Sequence, residues 1–162
     1  FRDFDVVNGE PVRQAAFDVR TDTNFDGVIE GCAAPSTMAG REDTWINPPI
    51  ARVFRELHGM GHAHSVECWL DDELVGGLYG VALGRMFFGE SMFSLADNGS
   101  KLAFIHLAQQ LQAWGFVLID CQMHTHHLSS LGAAEIEMAE FQAYLDHNLT
   151  FGVDSCWELV LE

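Results

Sequence analysis

The sequence predicts an α+β fold, a mixed β-sheet with an antiparallel strand meander and flanking helices. Three observations carry this reading. Residues 64–94 hold three apolar runs, HSVECWL, LVGGLYGVAL and MFFGESMFS, separated only by Asp71-Asp72-Glu73 and by Gly84-Arg85, which is hairpin spacing. An amphipathic helix follows, with Leu102, Ile105, Leu107, Ala108, Leu111 and Trp114 on one stripe and Gly115 as its stop. After that helix, FVLIDCQ (116–122) reads as a buried strand, and a helical crossover makes its pairing parallel.

The remaining elements fit around this centre. FDVRTD (17–22) alternates like a strand. Phe25, Val28, Ile29 and Cys32 have helical spacing, and Thr23 or Asn24 can cap that helix. Residues 35–43 are a polar loop. INPPIARVFRELHGMG predicts a helix with prolines at its start and Gly59 or Gly61 at its end. EMAEFQAYLDHN is a short helix, and WELVLE (157–162) reads as a final strand. The glycines at 76, 77, 80 and 89 are unusual for strands and point to bulges or to close approach of a ligand. Residues 1–16 are weakly patterned and read as a lead-in segment. The chain begins at Phe1, so further residues upstream are expected.

Bulk composition narrows the function classes. The 162 residues suit one domain; 48% are apolar and 20% charged, the balance of a globular protein. No apolar run reaches the roughly 18 residues of a membrane span, so no membrane partner is expected. Cys32, Cys68, Cys121 and Cys156 form no CxxC pair, which suits a reducing cytoplasm and buried thiols. The net charge of −16 repels nucleic acid at long range. An RNA contact therefore needs a local basic patch or another segment.

Three chemistries compete in the stretch LIDCQMHTHH (118–127). His124, His126 and His127, with His58 and His62 at i, i+4, raise a metal site. Gly59 and Gly61 break the helix that would align His58 with His62, and no HExxH pattern is present, so no metal is expected. Cys121 as a nucleophile needs a base or a helix N-terminus to lower its pKa, and neither is visible. Asp120 and Gln122, at i, i+2 on a strand, should share a face. Two polar groups on so apolar a strand need partners. They either bond each other or a loop, or they line a cleft at the strand's carboxyl end. Glu90, inside GESMFS, raises the same choice. It pairs with Arg85 or Lys101, or it awaits an amine from a ligand.

Several blocks in order resemble the leucyl/phenylalanyl-tRNA–protein transferase family. They are VIEGCA (28–33), TWI (44–46), GHAHSVE (61–67), LVGGLYGV (74–81), GESMFS (89–94), SK (100–101), LIDCQ (118–122), HL (127–128) and SLGA (130–133). The resemblance covers roughly residues 17–147. It implies a fold similar to the GNAT acyltransferases and a cytoplasmic, monomeric enzyme without metal or coenzyme. It also implies transfer of Leu, Phe or Met from aminoacyl-tRNA to a protein N-terminal Arg or Lys, marking the product for N-degron degradation.

The resemblance further implies roles for individual residues. Gln122 would contact the attacking amine while Asp120 draws its proton. A neutral amide is a poor base, so Asp120 supplies basicity and Gln122 orientation. The backbone N–H near Cys121 would serve the oxyanion, and Glu90 would hold an ammonium. Leu78, Phe87, Met92, Phe104, Leu107 and Ile119 would form the donor side-chain pocket, although each also fits an ordinary core. Trp45 would stack on the terminal adenosine.

Three departures stand out. The family's N-terminal domain, with its FPW and WxSP-type segments, has no counterpart, so a transferase domain over 17–162 follows the lead-in directly. Ile136 is followed by Glu137 and Met138 where the family shows Pro and Arg. Candidate tRNA-facing cations are few: Arg41, Arg52, Arg55, Arg85 and Lys101. A GNAT-like transferase with another small donor, or a non-catalytic domain that binds aminoacyl or peptide ends, is the alternative.

Overall fold

The computed structural model describes residues 5–7, 10–12, 17–35, 44–151 and 157–158. Strands β1 (Asp5–Val7) and β2 (Glu10–Val12) form a separate antiparallel pair. Part of the segment read as a weakly patterned lead-in is therefore in paired strands.

The main sheet has the order β3-β4-β5-β6-β7. Its strands are β3 (Phe17–Thr21), β4 (Ala63–Leu70), β5 (Glu73–Leu83), β6 (Met86–Ser94) and β7 (Leu118–Asp120). The first four neighbours pair antiparallel, and β6 pairs parallel with β7, with Phe87 opposite Ile119 and Phe88 opposite Asp120. The predicted meander and parallel crossover are both present.

Helices cover both faces. Helix α1 (Phe25–Ala33) is capped by Asn24, whose side chain accepts the Gly27 N–H at 3.0 Å. Helix α2 (Pro48–Gly59) is capped by Asn47 and carries its prolines at the first turn, where no backbone donor is lost. These two cover one face, packing Phe25, Val28, Ile29, Cys32 and Ala51 against Tyr79 and Phe93. Helix α3 (Gly99–Ala113) covers the other, packing Ala103, Leu107 and Leu111 against Val66, Cys68, Leu78 and Phe87. Trp157 joins this second core and stacks on His64 at 3.7 Å.

Glycine in β5 serves packing rather than a ligand. A Cβ on Gly76 would lie 2.8 Å from the Gly99 carbonyl carbon, so the start of α3 rests directly on the strand. A Cβ on Gly80 would lie 2.3 Å from the Phe88 carbonyl oxygen, beside a register shift in the β5–β6 ladder.

Two polar clusters pin β3 and β4 to the start of α1. Glu67, wholly buried, accepts the backbone N–H groups of Thr23 and Asn24 at 3.2 Å and the Ser65 hydroxyl at 2.6 Å. The Thr23 hydroxyl donates to it as well. Its carboxylate thus satisfies donors at a helix N-terminus, where a negative charge is favoured. Alongside, Asp22 meets His64 Nδ1 at 2.7 Å and accepts the Ser65 N–H at 2.8 Å.

Three boundaries differ from the sequence reading. Strand β7 ends at Asp120 and starts only at Leu118. Phe116 N–H still donates to Leu111 O at 2.9 Å, closing the helix, and Val117 N–H donates to Arg85 O at 2.9 Å. The histidine stretch contains the short helix α4 (His126–Ser130), which the sequence reading did not place, capped by Thr125 at 3.1 Å from the Leu128 nitrogen. A last helix, α5 (Met138–Asn148), is where the pattern placed it. The expected strand over 157–162 lies mostly outside the described residues; Trp157 and Glu158 are described and are not in a strand.

Candidate active site

The carboxyl end of β7 opens into a cleft of about 880 Å³. It is lined by the chain from Val117 to Thr125, by α3 (Phe104, Ala108) and α4 (Leu128, Ser129), and by Ile136 with Met138 and Phe141 of the last helix. Asp120, Cys121 and Gln122 all line it. A ligand cleft beyond the carboxyl end of a strand is where sheet-based sites commonly sit.

Asp120 and Gln122 meet there, though not by strand alternation. Gln122 lies beyond β7 in the left-handed region, at φ 61°. Its backbone N–H donates to Asp120 Oδ1 at 2.8 Å, so a side-chain turn joins the two. A non-glycine residue at positive φ is costly and concentrates where surrounding structure enforces it. The next turn is closed by Met123 N–H donating to the Cys121 carbonyl at 2.6 Å.

Glu90 enters from β6. In the β5–β6 ladder Tyr79 pairs with Ser91 and Gly80 with Gly89, which leaves Glu90 as the extra residue of a bulge. A bulge re-aims a side chain locally, and bulges cluster beside active sites. Burial pushes the Glu90 carboxyl above the ordinary range, the Gln122 side chain opposes this as a hydrogen-bond donor, and the Asp120 charge adds to it. Neither Arg85 nor Lys101 pairs with Glu90. The Arg85 guanidinium instead donates to Gly115 O at 2.7 Å. Glu90 is thus linked to Asp120 and Gln122, and none of the described ion pairs involves Glu90.

Cys121 is half-buried, and burial, followed by the Asp120 charge, pushes its thiol up. A thiol held protonated is a poor nucleophile. Among the described residues no three histidine, cysteine, aspartate or glutamate side chains gather as metal ligands. His124 Nε2 instead meets the Ser129 hydroxyl at 2.9 Å, and His58 Nδ1 meets Ala63 O at 2.8 Å.

The residues expected in a donor pocket divide. Phe104 and Ile119 line the cleft. Leu78, Phe87 and Leu107 are 3%, 1% and 1% exposed and belong to the core beneath α3, with Met92 packed against it. Their side chains fill the space between sheet and helix. Trp45 is half-exposed and set edge-on to Phe54 at 6.3 Å, away from the cleft lining. Leu128, Leu131, Met138 and Phe141 supply apolar wall that the sequence reading did not assign. The Thr125 cap in front of HHLSS was the available signal for α4.

Of the candidate RNA-binding cations, Arg52 and Arg55 are ion-paired, as is Arg20, which was not among them, and Arg85 donates to a backbone carbonyl. Arg20 pairs with Asp18 at 2.7 Å and Asp72 at 3.4 Å, Arg52 with Glu56 at 3.3 Å, and Arg55 with Asp26 and Glu30. Arg41 lies outside the described residues.

The fold resembles that of solved acetyltransferases. An aminoglycoside acetyltransferase from an uncultured soil metagenomic sample aligns with a TM-score of 0.56 at 16% identity, over 76% of this chain and 95% of that one. A probable acetyltransferase aligns with a TM-score of 0.57 at 14% identity, over 86% of this chain and 99% of that one. Sequence is more specific. The family model described as leucyl/phenylalanyl-tRNA protein transferase matches residues 9–146, and the chain belongs to that family. A leucyl/phenylalanyl-tRNA--protein transferase of Azotobacter vinelandii is 52% identical over 146 residues, covering 90% of this chain and 64% of that protein. One from Nitrosospira multiformis is 56% identical over 137 residues, covering 83% of this chain and 57% of that protein. The chain thus spans a little under two thirds of the length of these curated relatives.

Proposed function

We propose that this chain carries the acyl-transfer centre of a leucyl/phenylalanyl-tRNA–protein transferase. Leu or Phe, with Met as a further donor, passes from aminoacyl-tRNA to the N-terminal Arg or Lys of a protein. The product then enters the N-degron pathway. The observation that carries this reading is the Asp120–Gln122 turn lining an apolar cleft, with Glu90 bulged from the neighbouring strand, within a family-matched segment.

The chemistry suits these groups. The donor ester is already activated, so its aminolysis needs alignment, a neutral amine and a stabilised oxyanion. The Gln122 side-chain carbonyl orients the amine, whose nitrogen attacks the ester carbon. Asp120 accepts the proton that the amine loses. The tetrahedral oxyanion is met by a backbone N–H at Cys121. Collapse releases the ribose hydroxyl of the tRNA, which takes up a proton. Glu90 holds an ammonium, either the donor's free amine or the acceptor's cationic side chain. Phe104 and Ile119 border the donor side chain.

One observation favours a second reading. Arg20, Arg52 and Arg55 each sit beside a carboxylate, which weakens the positive field they offer to phosphates, as a transferase using a smaller donor would show. Labelled leucine, supplied as Leu-tRNA with an Arg-initiated peptide, tests the first reading directly. Peptide labelling that Asp120→Asn abolishes supports it. Absence of labelling, together with tight binding of a leucyl-adenosine amide, favours the second.

A further inference from the structure

The histidine run at residues 124–127 is a motif that the transfer chemistry leaves unused. His124 lines the cleft together with Asp120 and Gln122, whereas His126 and His127 do not. The His124 ring is held in place. Its Nε2 meets the Ser129 hydroxyl at 2.9 Å, and Ser129 lines the cleft as well. Ser129 is in turn fixed by α4. Its backbone N–H donates to Thr125 O at 2.9 Å, and the Thr125 hydroxyl oxygen accepts the Leu128 N–H at 3.1 Å. Upstream, the Gln122 N–H donates to Asp120 Oδ1 and the Met123 N–H to Cys121 O, so hydrogen-bonded turns lead from Asp120 towards His124. With Nε2 engaged by Ser129, Nδ1 is the ring nitrogen that can meet a ligand. The transfer steps above also leave one proton without a donor, the proton taken up by the ribose oxygen. An alkoxide leaves poorly unless a positioned side chain protonates it as the bond breaks, and histidine is the side chain most often used for this.

We propose that His124 is the general acid that protonates the leaving ribose oxygen, with Ser129 as its positioning residue; this rests on the transfer reading above. The His124 imidazolium gives its Nδ1 proton to that oxygen as the bond from the oxygen to the tetrahedral carbon breaks and the carbonyl re-forms. Nε2 keeps its proton and donates it to Ser129 Oγ, so the neutral ring stays in register. The proton that Asp120 took from the amine then passes through solvent to His124 Nδ1. One ester and one amine become one amide and one hydroxyl, and both side chains return to their starting states. Asp120 thus serves the bond that forms and His124 the bond that breaks, from the same cleft.

The test varies the leaving group. Leu-tRNA loses a ribose oxygen, which needs a proton, whereas leucine p-nitrophenyl ester loses a phenolate, which does not. Both would be offered with the same Arg-initiated peptide. His124→Ala should lower kcat with Leu-tRNA about 10²-fold or more, with KM nearly unchanged, and should match wild type with the p-nitrophenyl ester. His124→Gln can still bond Ser129 but cannot act as an acid, so it should fail as alanine does. Ser129→Ala should lose less, and again only with Leu-tRNA. His124 is exposed, so both of its variants should melt close to wild type. Equal loss with both donors overturns the proposal, as does full activity of His124→Ala or His124→Gln with Leu-tRNA. A wild type that moves leucine from neither donor overturns the transfer reading and this proposal together, which separates the two failures.

Discussion

Asp120 Oδ1 accepts the backbone N–H of Gln122 at 2.8 Å, so one side chain fixes the conformation from which the other works. This pairing separates two functions of Asp120 that a simple truncation would merge. Asparagine keeps the accepting oxygen and loses the basicity. Asp120→Asn should therefore fold with wild-type stability and lower kcat by about 10²–10⁴-fold, the usual range for a general base. Asp120→Ala should lose the turn as well and unfold at lower temperature. Rapid-quench transfer assays beside thermal melts would check both.

Gln122 occupies φ 61°, a conformation that glycine adopts freely. Gln122→Gly should thus stay within about 1 kcal/mol of the wild-type stability, because relief of backbone strain offsets the added chain entropy. Transfer should fall at least tenfold, because the amide proposed to orient the amine is gone. Denaturant unfolding and initial rates measured on the same preparation would separate the effects.

Burial raises the folded-state pKa of Glu90 above its unfolded value. Stability from this group is therefore full below the unfolded pKa and is lost as pH rises through the folded one. Glu90→Gln removes that loss. The variant should melt higher than wild type at pH 7 and converge with it below about pH 4, while transfer drops. Equal melting points at both pH values would show that the carboxylate is not destabilising.

The cleft and the core make different predictions for neighbouring apolar residues. Leu107 is 1% exposed, so Leu107→Ala should cost about 2–5 kcal/mol of stability. Phe104 lines the cleft, and Phe104→Ala should mainly change the ratio of Leu to Phe transfer. Competition between the two charged tRNAs would measure it, and a change of about 10–200-fold is the range a methylene-scale contact allows.

With Arg20, Arg52 and Arg55 in ion pairs, the described surface should contribute few phosphate contacts. The slope of log kcat/KM against log salt should be shallow, about −1 to −2 rather than the steep value of an RNA-binding face. A steep slope would place substantial tRNA contacts on this chain.

The antiparallel meander was legible because strand period and hairpin punctuation agree across residues 64–94. The crossover to β7 was legible for a similar reason, since the α3 stripe and an apolar run leave one sensible pairing. The details at the site were not. Alternation places Asp120 and Gln122 on one face, yet the strand stops at Asp120, and a left-handed residue does the joining. Composition cannot separate a pocket from a core, and Leu78, Phe87 and Leu107, which fit either, lie buried beneath α3. Glu67 reads as an ordinary acid in a strand. Its burial has meaning only once the N–H groups of Thr23 and Asn24 are seen above it.

The bulge at Glu90 sets regularity of the sheet against possession of the site. Glu90 is an insertion into a ladder that closes correctly on both sides of it, between Gly89 and Ser91. Excising this single residue would let β5 and β6 zip without interruption and would give a straighter, quieter sheet. Such a shortened chain would be the better scaffold and would have no carboxylate to offer an amine.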